Sequence, residues 1–377
     1  MRQESGGVVR ALLDMCLAMA ERGHHVTLLT FDRGDVPEDW DGRDGRPALV
    51  AMPRAGLPTR PVGRAAARAA TQRIAEADIV HFHGIWDPAC RQFAAICRRR
   101  GVPYVVSIHG MLDDWCMAQK SAKKKLYLAT GGRRFIENAA AVHCTAEAEL
   151  EQSRKWYPRG RGVVVPLLFD LDSFREPPGD GPARRAFPQA FERPTMVLFL
   201  SRIHEKKGLE ILIEAGATLR KRSIDTTIAI AGTGEEHYVA RLRALAHRSG
   251  MGDRVHFLGF ASGVEKVSLY QAADVFALPT SQENWGFVSL EALACGTPVL
   301  TTRGVDIWPE LEASGGARIV DATPEAFAEA IADQLADDAL RRSMGERGRA
   351  WVLEELTSDR VIDRYEEMYR LGVDDSR

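Results

Sequence analysis

Two apolar rhythms alternate along the chain. Short runs rich in Val, Ile, Leu, Phe and Thr, bounded by Gly, Pro or charged residues, predict strands at 25–30, 77–84, 103–110, 140–146 and 162–167. Between them, "VVRALLDMCLAMAERG" and "PACRQFAAICRRRG" repeat their apolar residues at helical spacing and close on glycine. Strand and helix in turn predict an α/β fold, a parallel sheet with helices on both faces.

The rhythm fails over 173–194, "SFREPPGDGPARRAFPQAFERP", which is rich in proline, glycine and charge. That composition predicts a linker. Beyond it, strand patterns resume at 195–201, 226–232, 254–260, 273–280, 298–302 and 316–321, with helical patterns such as "GLEILIEAGATLRKR" and "YVARLRALAHRSG" between them. The expectation is two doubly wound, Rossmann-like domains, 1–172 and 195–355, facing each other across a cleft. Residues 356–377 are expected to form a helix returning to the first domain. Ligands of such sheets lie outside the carboxyl ends of the strands, so the loops there are where chemistry is sought.

One segment does not fit. "ESGGVVRALL" reads as a Gly-Gly turn entering a helix, which in a βαβ unit follows a strand, yet only five residues precede Gly6. Either the strand lies upstream of Met1 or the first sheet lacks an inner strand, and the first reading is the expectation.

Composition narrows the class. A chain of 377 residues suggests two or three domains, and a net charge of −2 lacks the basic footprint of a nucleic-acid binder. Six cysteines form no C-x-x-C pair and sit mostly in apolar stretches, as free thiols of a reducing compartment do. No apolar run reaches the length of a membrane span, and the N-terminus has no signal-peptide core. A cytosolic enzyme is expected.

Candidate chemistry gathers in the second half. In "SQENWGFVSLEALACGTPV", Glu283 precedes a glycine turn and Glu291 lies inside the helix that follows. A helix starting near Gly286 presents unpaired amides to an anion, and the carboxylates beside it suit hydroxyl donors. Together they describe a sugar diphosphate, although an acid on a wet helix face explains Glu291 equally well. In "LSRIHEKKGLEIL", Arg202 and Lys207 share one strand-to-helix loop and can both reach a diphosphate. A solvated charge run is the plainer alternative. "IAGTGEEHYVARL" supplies a Gly-x-Gly turn and "VHFLGF" a glycine at a strand end.

Taken in order, these segments resemble the retaining GT-B glycosyltransferases of family GT4, the group 1 glycosyltransferases, over nearly the whole chain. The most specific element is Glu283-x7-Glu291 followed by "EALACGTPV". The resemblance implies that Arg202 and Lys207 bind the donor diphosphate, assisted by the amides of Gly286, Phe287 and Val288. It implies that Glu291 holds the ribose, that Glu283 holds hydroxyls of the transferred sugar, and that Gly232, Gly234 and Leu258 shape the base and phosphate pocket. In the first domain Gly6 and Gly7 would admit the donor phosphate, and His109 would stand beside the reaction centre. His83 is divided between the acceptor pocket and a structural role. In "VVVPLLFDLDSF", Leu167 and Leu168 replace the Asn-Gly common in the family, so the interdomain turn is expected to differ.

The implied reaction moves a hexose from a nucleoside-diphosphate sugar to a saccharide or lipid-linked acceptor with retention, in polysaccharide or lipopolysaccharide synthesis. No Asp-x-Asp ligand set appears, so neither metal nor cofactor is expected. Residues 118–135, "AQKSAKKKLYLATGGRRF", mix lysines with apolar residues and suit peripheral contact with the inner face of a membrane as well as a solvated helix. The rivals are a nucleotide-sugar 2-epimerase of the same architecture, a non-catalytic partner subunit and, least of all, a dehydrogenase.

Overall fold

The computed structural model describes residues 7–57 and 60–374, with side chains left aside over 54–61. It divides into two compact units, one of Met1–Phe169 with Thr357–Arg377 and the other of Asp170–Leu356.

The first unit opens with α1 (Gly7–Glu21), and the expected strand ahead of Gly6 lies outside the described residues. Next come the parallel pair β1 (Thr27–Thr30) and β2 (Ala48–Ala51) and the antiparallel hairpin β3 (Arg54–Leu57) and β4 (Arg60–Val62). After α2 (Arg64–Glu76), a four-stranded parallel sheet follows in sequential order: β5 (Val80–His83), β6 (Tyr104–Ser107), β7 (Ala141–Cys144) and β8 (Gly162–Val164). Its first crossover is α3 (Pro88–Arg100). The α3 boundaries follow from sequence: Asp87 accepts a hydrogen bond from Ala89 N at 2.9 Å, Pro88 takes the first position, and Gly101 closes it at φ +71°. The second crossover is broken into α4 (Asp114–Ala118), α5 (Ser121–Tyr127), a wide turn over Leu128–Gly132 and α6 (Arg133–Glu137). α7 (Glu147–Ser153) joins β7 to β8.

Because side chains alternate along a strand, the sheet is buried on both faces. Val106 and Val142 pack with Phe82, Phe93, Leu112 and Phe135. Val105 and Ala141 pack with α1 and with Val361, Ile362, Tyr365 and Met368 of the C-terminal helix, Ser358–Asp374. Gly372 lets that helix approach the sheet, since a Cβ there would fall 2.9 Å from Ala140 Cβ.

The second unit begins earlier than the sequence suggests. The predicted linker, 173–194, is structured: α8 (Asp172–Arg175), α9 (Gly181–Ala186) and a short turn at Pro188–Phe191. Gly179 N donates to Gln271 Oε1 at 2.6 Å, Ala183 N to Ser268 Oγ at 2.9 Å, and Arg349 Nη1 to Phe174 O at 2.9 Å. These bonds hold the segment to its own unit. Leu167 and Leu168 are both buried just before the boundary.

The second sheet is wholly parallel. It contains β9 (Thr195–Leu200), β10 (Thr226–Ala231), β11 (Val255–Gly259), β12 (Val275–Leu278), β13 (Val299–Thr301) and β14 (Ala317–Ile319), in spatial order β11-β10-β9-β12-β13-β14. The connecting helices are α10 (Leu209–Lys221), α11 (Glu236–Arg248), α12 (Gly263–Ala272), α13 (Phe287–Ala294) and α14 (Trp308–Ala313), with α15 (Pro324–Ala336) and α16 (Asp338–Glu355) completing the unit. The order runs outward one way from β9 and the other way from β12. A doubly wound sheet takes its ligand where that reversal occurs.

Candidate active site

The loops leaving β9 and β12 are fastened to each other at the reversal. Gly208 (φ +68°) ends the first, and a Cβ there would fall 2.1 Å from Pro279 O, so only glycine allows the approach. The Lys206 carbonyl accepts from Ser281 N at 2.8 Å and from Thr280 Oγ1 at 3.0 Å. Lys207 is thereby 3 % exposed, and its Nζ donates to Glu283 Oε2. Burial, then the charges of Lys206 and Arg202, pull the Lys207 ammonium down to about 7. The Glu283 carboxylate acts in the opposite sense and favours the ammonium. Glu283 is itself fixed: its N–H donates to Gly304 O at 2.7 Å and its carbonyl accepts from Asp306 N at 2.9 Å. Arg202 is exposed and has no ion pair among the described residues, so it and Lys207 differ: one at the surface, one preset.

Gly286 (φ +67°) turns the chain into α13, leaving the amides of Phe287 and Val288 in the unpaired first turn. Glu291 lies one turn further in and is 9 % exposed. Its Oε1 accepts from Lys266 Nζ at 2.7 Å and its Oε2 from Tyr270 OH at 2.9 Å, both from α12. Burial and then the Glu291 charge hold the Tyr270 phenol well above its usual range, so it remains a donor. Gly232 and Gly234 are required by backbone contact, since a Cβ would fall 1.9 Å from Ser201 O or 2.2 Å from Ile203 O. Leu258 is half-buried near the end of β11, and Phe260, just beyond, is 74 % exposed.

The first unit carries a separate cluster on the carboxyl ends of β5, β6 and β7. His109 follows β6 at φ +48°, a region that non-glycine residues rarely enter, and is buried. His83, divided from sequence between the acceptor pocket and a structural role, faces His109: Nδ1 is hydrogen-bonded to His109 Nε2 at 3.0 Å, with the rings stacked 5.3 Å apart. His81 lies 4.2 Å from the His83 ring and is held by Tyr369 OH at 2.8 Å and Ser107 Oγ at 2.7 Å. Ser107 also bonds His143, whose Nε2 is 2.8 Å from Val165 O. Burial first, and then neighbouring histidines, pull His109 down to about 3 and put His81 and His83 well below their usual range. Burial likewise takes His143 down to about 4. These are neutral rings that direct hydrogen bonds. Buried Glu149 supports the His109 turn, accepting from Gly110 N and from Thr145 Oγ1, the latter at 2.9 Å.

Sequence reading missed Lys266, Tyr270, Glu149 and Tyr369. Gly7 is the first residue of α1, and Gly6 lies outside the described residues. Among the described residues no group of three or more His, Cys, Asp or Glu side chains is arranged to hold a metal ion.

The family described as "Glycosyltransferase Family 4" matches residues 5–173, and "Glycosyl transferases group 1" matches 182–351. A D-inositol 3-phosphate glycosyltransferase from Mycobacterium sp. (strain KMS) is 33% identical over 79% of this chain and 70% of its own length. The chain belongs to the group 1 glycosyltransferases. A protein of the same description from Xylanimonas cellulosilytica is 29% identical over 92% of the chain and 87% of its own. A GDP-mannose-dependent alpha-(1-6)-phosphatidylinositol monomannoside mannosyltransferase from Mycolicibacterium smegmatis is 32% identical over 72% of each. Among solved structures, HepE from Anabaena in complex with UDP superposes with a TM-score of 0.76 at 20% identity, covering 96% of this chain and 95% of that one. Sucrose-phosphate synthase from Thermosynechococcus elongatus gives 0.73 at 21%, covering 97% and 93%. The glycosyltransferase therefore has the GT-B fold, and its reaction class is hexosyl transfer.

Proposed function

We propose that this glycosyltransferase moves a hexose from a nucleoside-diphosphate sugar to a hydroxyl of a saccharide or lipid-linked acceptor, with retention at the anomeric carbon. The reading rests on the Lys207–Glu283 pair, held at the strand reversal beside the first turn of α13. Arg202 and Lys207 take the diphosphate, with the amides of Phe287 and Val288, and Lys207 exchanges part of its bond to Glu283 for a phosphate oxygen. The second oxygen of Glu283 then serves hydroxyls of the sugar. Each oxygen of Glu291 keeps a lone pair after bonding Lys266 and Tyr270, which suits a ribose diol. Gly232, Gly234 and Leu258 shape the pocket for base and phosphate. In the first unit, Gly6, Gly7 and a neutral His109 serve the reaction, with His83 directing His109.

Glu283 and Glu291 are committed to binding, so no pair of acids is free for a double displacement. The bond from the anomeric carbon to the leaving phosphate breaks as the acceptor oxygen adds on the same face. The acceptor proton passes to the departing phosphate oxygen. Positioning and cationic stabilisation of the diphosphate lower the barrier, with no metal. HepE, crystallised with UDP and with UDP-glucose, supports a nucleotide-sugar donor, and the relatives' names support a phosphorylated or lipid-linked acceptor. A cytosolic enzyme docking through 118–135 is consistent with Leu126, which is 64 % exposed between Lys125 and Tyr127.

The test is nucleotide release from a panel of UDP- and GDP-sugars with candidate acceptors, reading product anomers by NMR. Retained configuration supports the reading. An inverted product, or an epimerised donor formed without acceptor, overturns it.

A further inference from the structure

A groove of about 520 Å³ runs along the flank of the first unit between α3 and the segment Gly131–Phe135. Arg91, Arg98 and Arg134 line it with apolar residues that include Ala94, Ala95 and Phe135, and among the described residues no carboxylate lines it. Arg91 and Arg98 are seven residues apart on α3, so they stand on one face about 10 Å from each other.

The seat of Arg91 is built. Its Nη2 donates to Thr130 O at 2.6 Å, and its guanidinium lies 5.3 Å from the Tyr127 ring. The chain leaves helical geometry at Thr130 and Gly131, and a Cβ on Gly131 (φ +115°) would fall 2.5 Å from Arg91 Nη2. Arg98 and Arg134 are exposed and have no ion pair among the described residues.

The local charge is lopsided. α3 carries Arg91, Arg98, Arg99 and Arg100 with no acid. α6 adds Arg133 and Arg134, and its one acid, Glu137, is bonded to Arg159 at 2.6 Å. In a chain of net charge −2 such an excess is not background. The helix dipole welcomes cations in the last turn of α3, which accounts for Arg98–Arg100. It does not account for Arg91, near the unfavourable end, or for Arg134.

We propose that this groove is a second anion site that binds a phosphate-bearing ligand lengthwise, independently of the transfer reaction. Planar guanidinium groups pair phosphate oxygens two at a time, and the apolar lining accepts the carbon skeleton of an ester. The ligand is either a soluble phosphate ester or the headgroup of an anionic lipid.

The experiment uses the full chain and two double variants. Arg98→Gln/Arg134→Gln removes the two exposed charges of the groove and leaves the seated Arg91. Arg99→Gln/Arg100→Gln removes the same charge from the same unit outside the lining. One arm measures calorimetric binding of inorganic pyrophosphate, and the other measures sedimentation with phosphatidylglycerol vesicles against phosphatidylcholine vesicles. The expected result is a loss of about tenfold for the groove variant in at least one arm, with the control variant like wild type. Loss with pyrophosphate identifies a soluble ester, and loss only with anionic vesicles identifies a headgroup. Wild-type behaviour of the groove variant in both arms overturns the proposal, as does an equal loss in both variants. Hexosyl transfer measured alongside reports separately on the donor site.

Discussion

Lys207 stands between opposing influences: burial and neighbouring cations favour its neutral amine, while Glu283 favours the ammonium. A bound diphosphate adds to the second influence and should raise its affinity for protons. Nucleoside-diphosphate binding at pH 8 is therefore expected to take up a proton, seen as a calorimetric enthalpy that varies with the buffer's own ionisation heat. The uptake should vanish in Lys207→Ala. That variant should also lose about 2–4 kcal/mol of transition-state stabilisation, mostly in kcat. The two glutamates should fail differently. Glu283→Gln is expected to lower kcat strongly. Glu291→Gln, and more mildly Tyr270→Phe, should raise the donor KM while kcat falls less. Equal kinetic patterns for the two glutamine variants would remove this division of roles. As candidates, Arg202, Lys207, Glu283 and Glu291 stood out in the sequence because each lies in a short strand-to-helix loop or the helix it opens. Lys266, Tyr270 and Glu149 were not, because their contacts reach across the fold without local spacing to announce them. His83 was left open between acceptor and structure because a strand-end histidine carries no sign of which neighbour it will face.

The histidines on β5 and β7 and after β6 form one layer with Tyr369 of the C-terminal helix, and its stability depends on pH. Each ring has a folded value below its unfolded one, so the unfolded state binds the extra protons as pH falls. The fold is unpenalised above about pH 6.5 and loses stability below it, each ring approaching about 1.4 kcal/mol per pH unit. Thermal midpoints should fall steeply from pH 6.5 to 5. Tyr369→Phe, which removes the hydroxyl bonded to His81, should lower the midpoint at neutral pH as well. A flat profile would mean that these rings titrate normally. The strands carrying the layer were plain in the sequence, as were all six of the second sheet, since buried parallel strands are continuous apolar runs. β2, β3 and β4 were missed because they are short and lie among Gly, Pro and Arg residues. Residues 173–194 read as a linker because their helices are held by Ser268, Gln271 and Arg349, far away in sequence.

At the scale of the molecule, one unit is a single stretch of chain and the other is not. A fragment of residues 170–356 retains every bond described for the second unit and is expected to fold and bind nucleoside diphosphate. A fragment starting at 190 loses the Gly179 and Ala183 bonds and should be less stable, as measured by chemical denaturation. Equal stabilities would mean that α8 and α9 merely rest on the surface.

The first unit draws part of its core from Val361, Ile362, Tyr365 and Met368, which are the last of that core to be made. At about 5–20 residues per second, the ribosome spends on the order of ten seconds or more translating the second unit before it reaches them. Through that interval the nascent first unit exposes the apolar face formed by α1, Val105 and Ala141. A chain cut before Thr357 keeps that face open for good. The order of translation thus makes the earliest-made unit the last to close, and the natural place for a chaperone to wait.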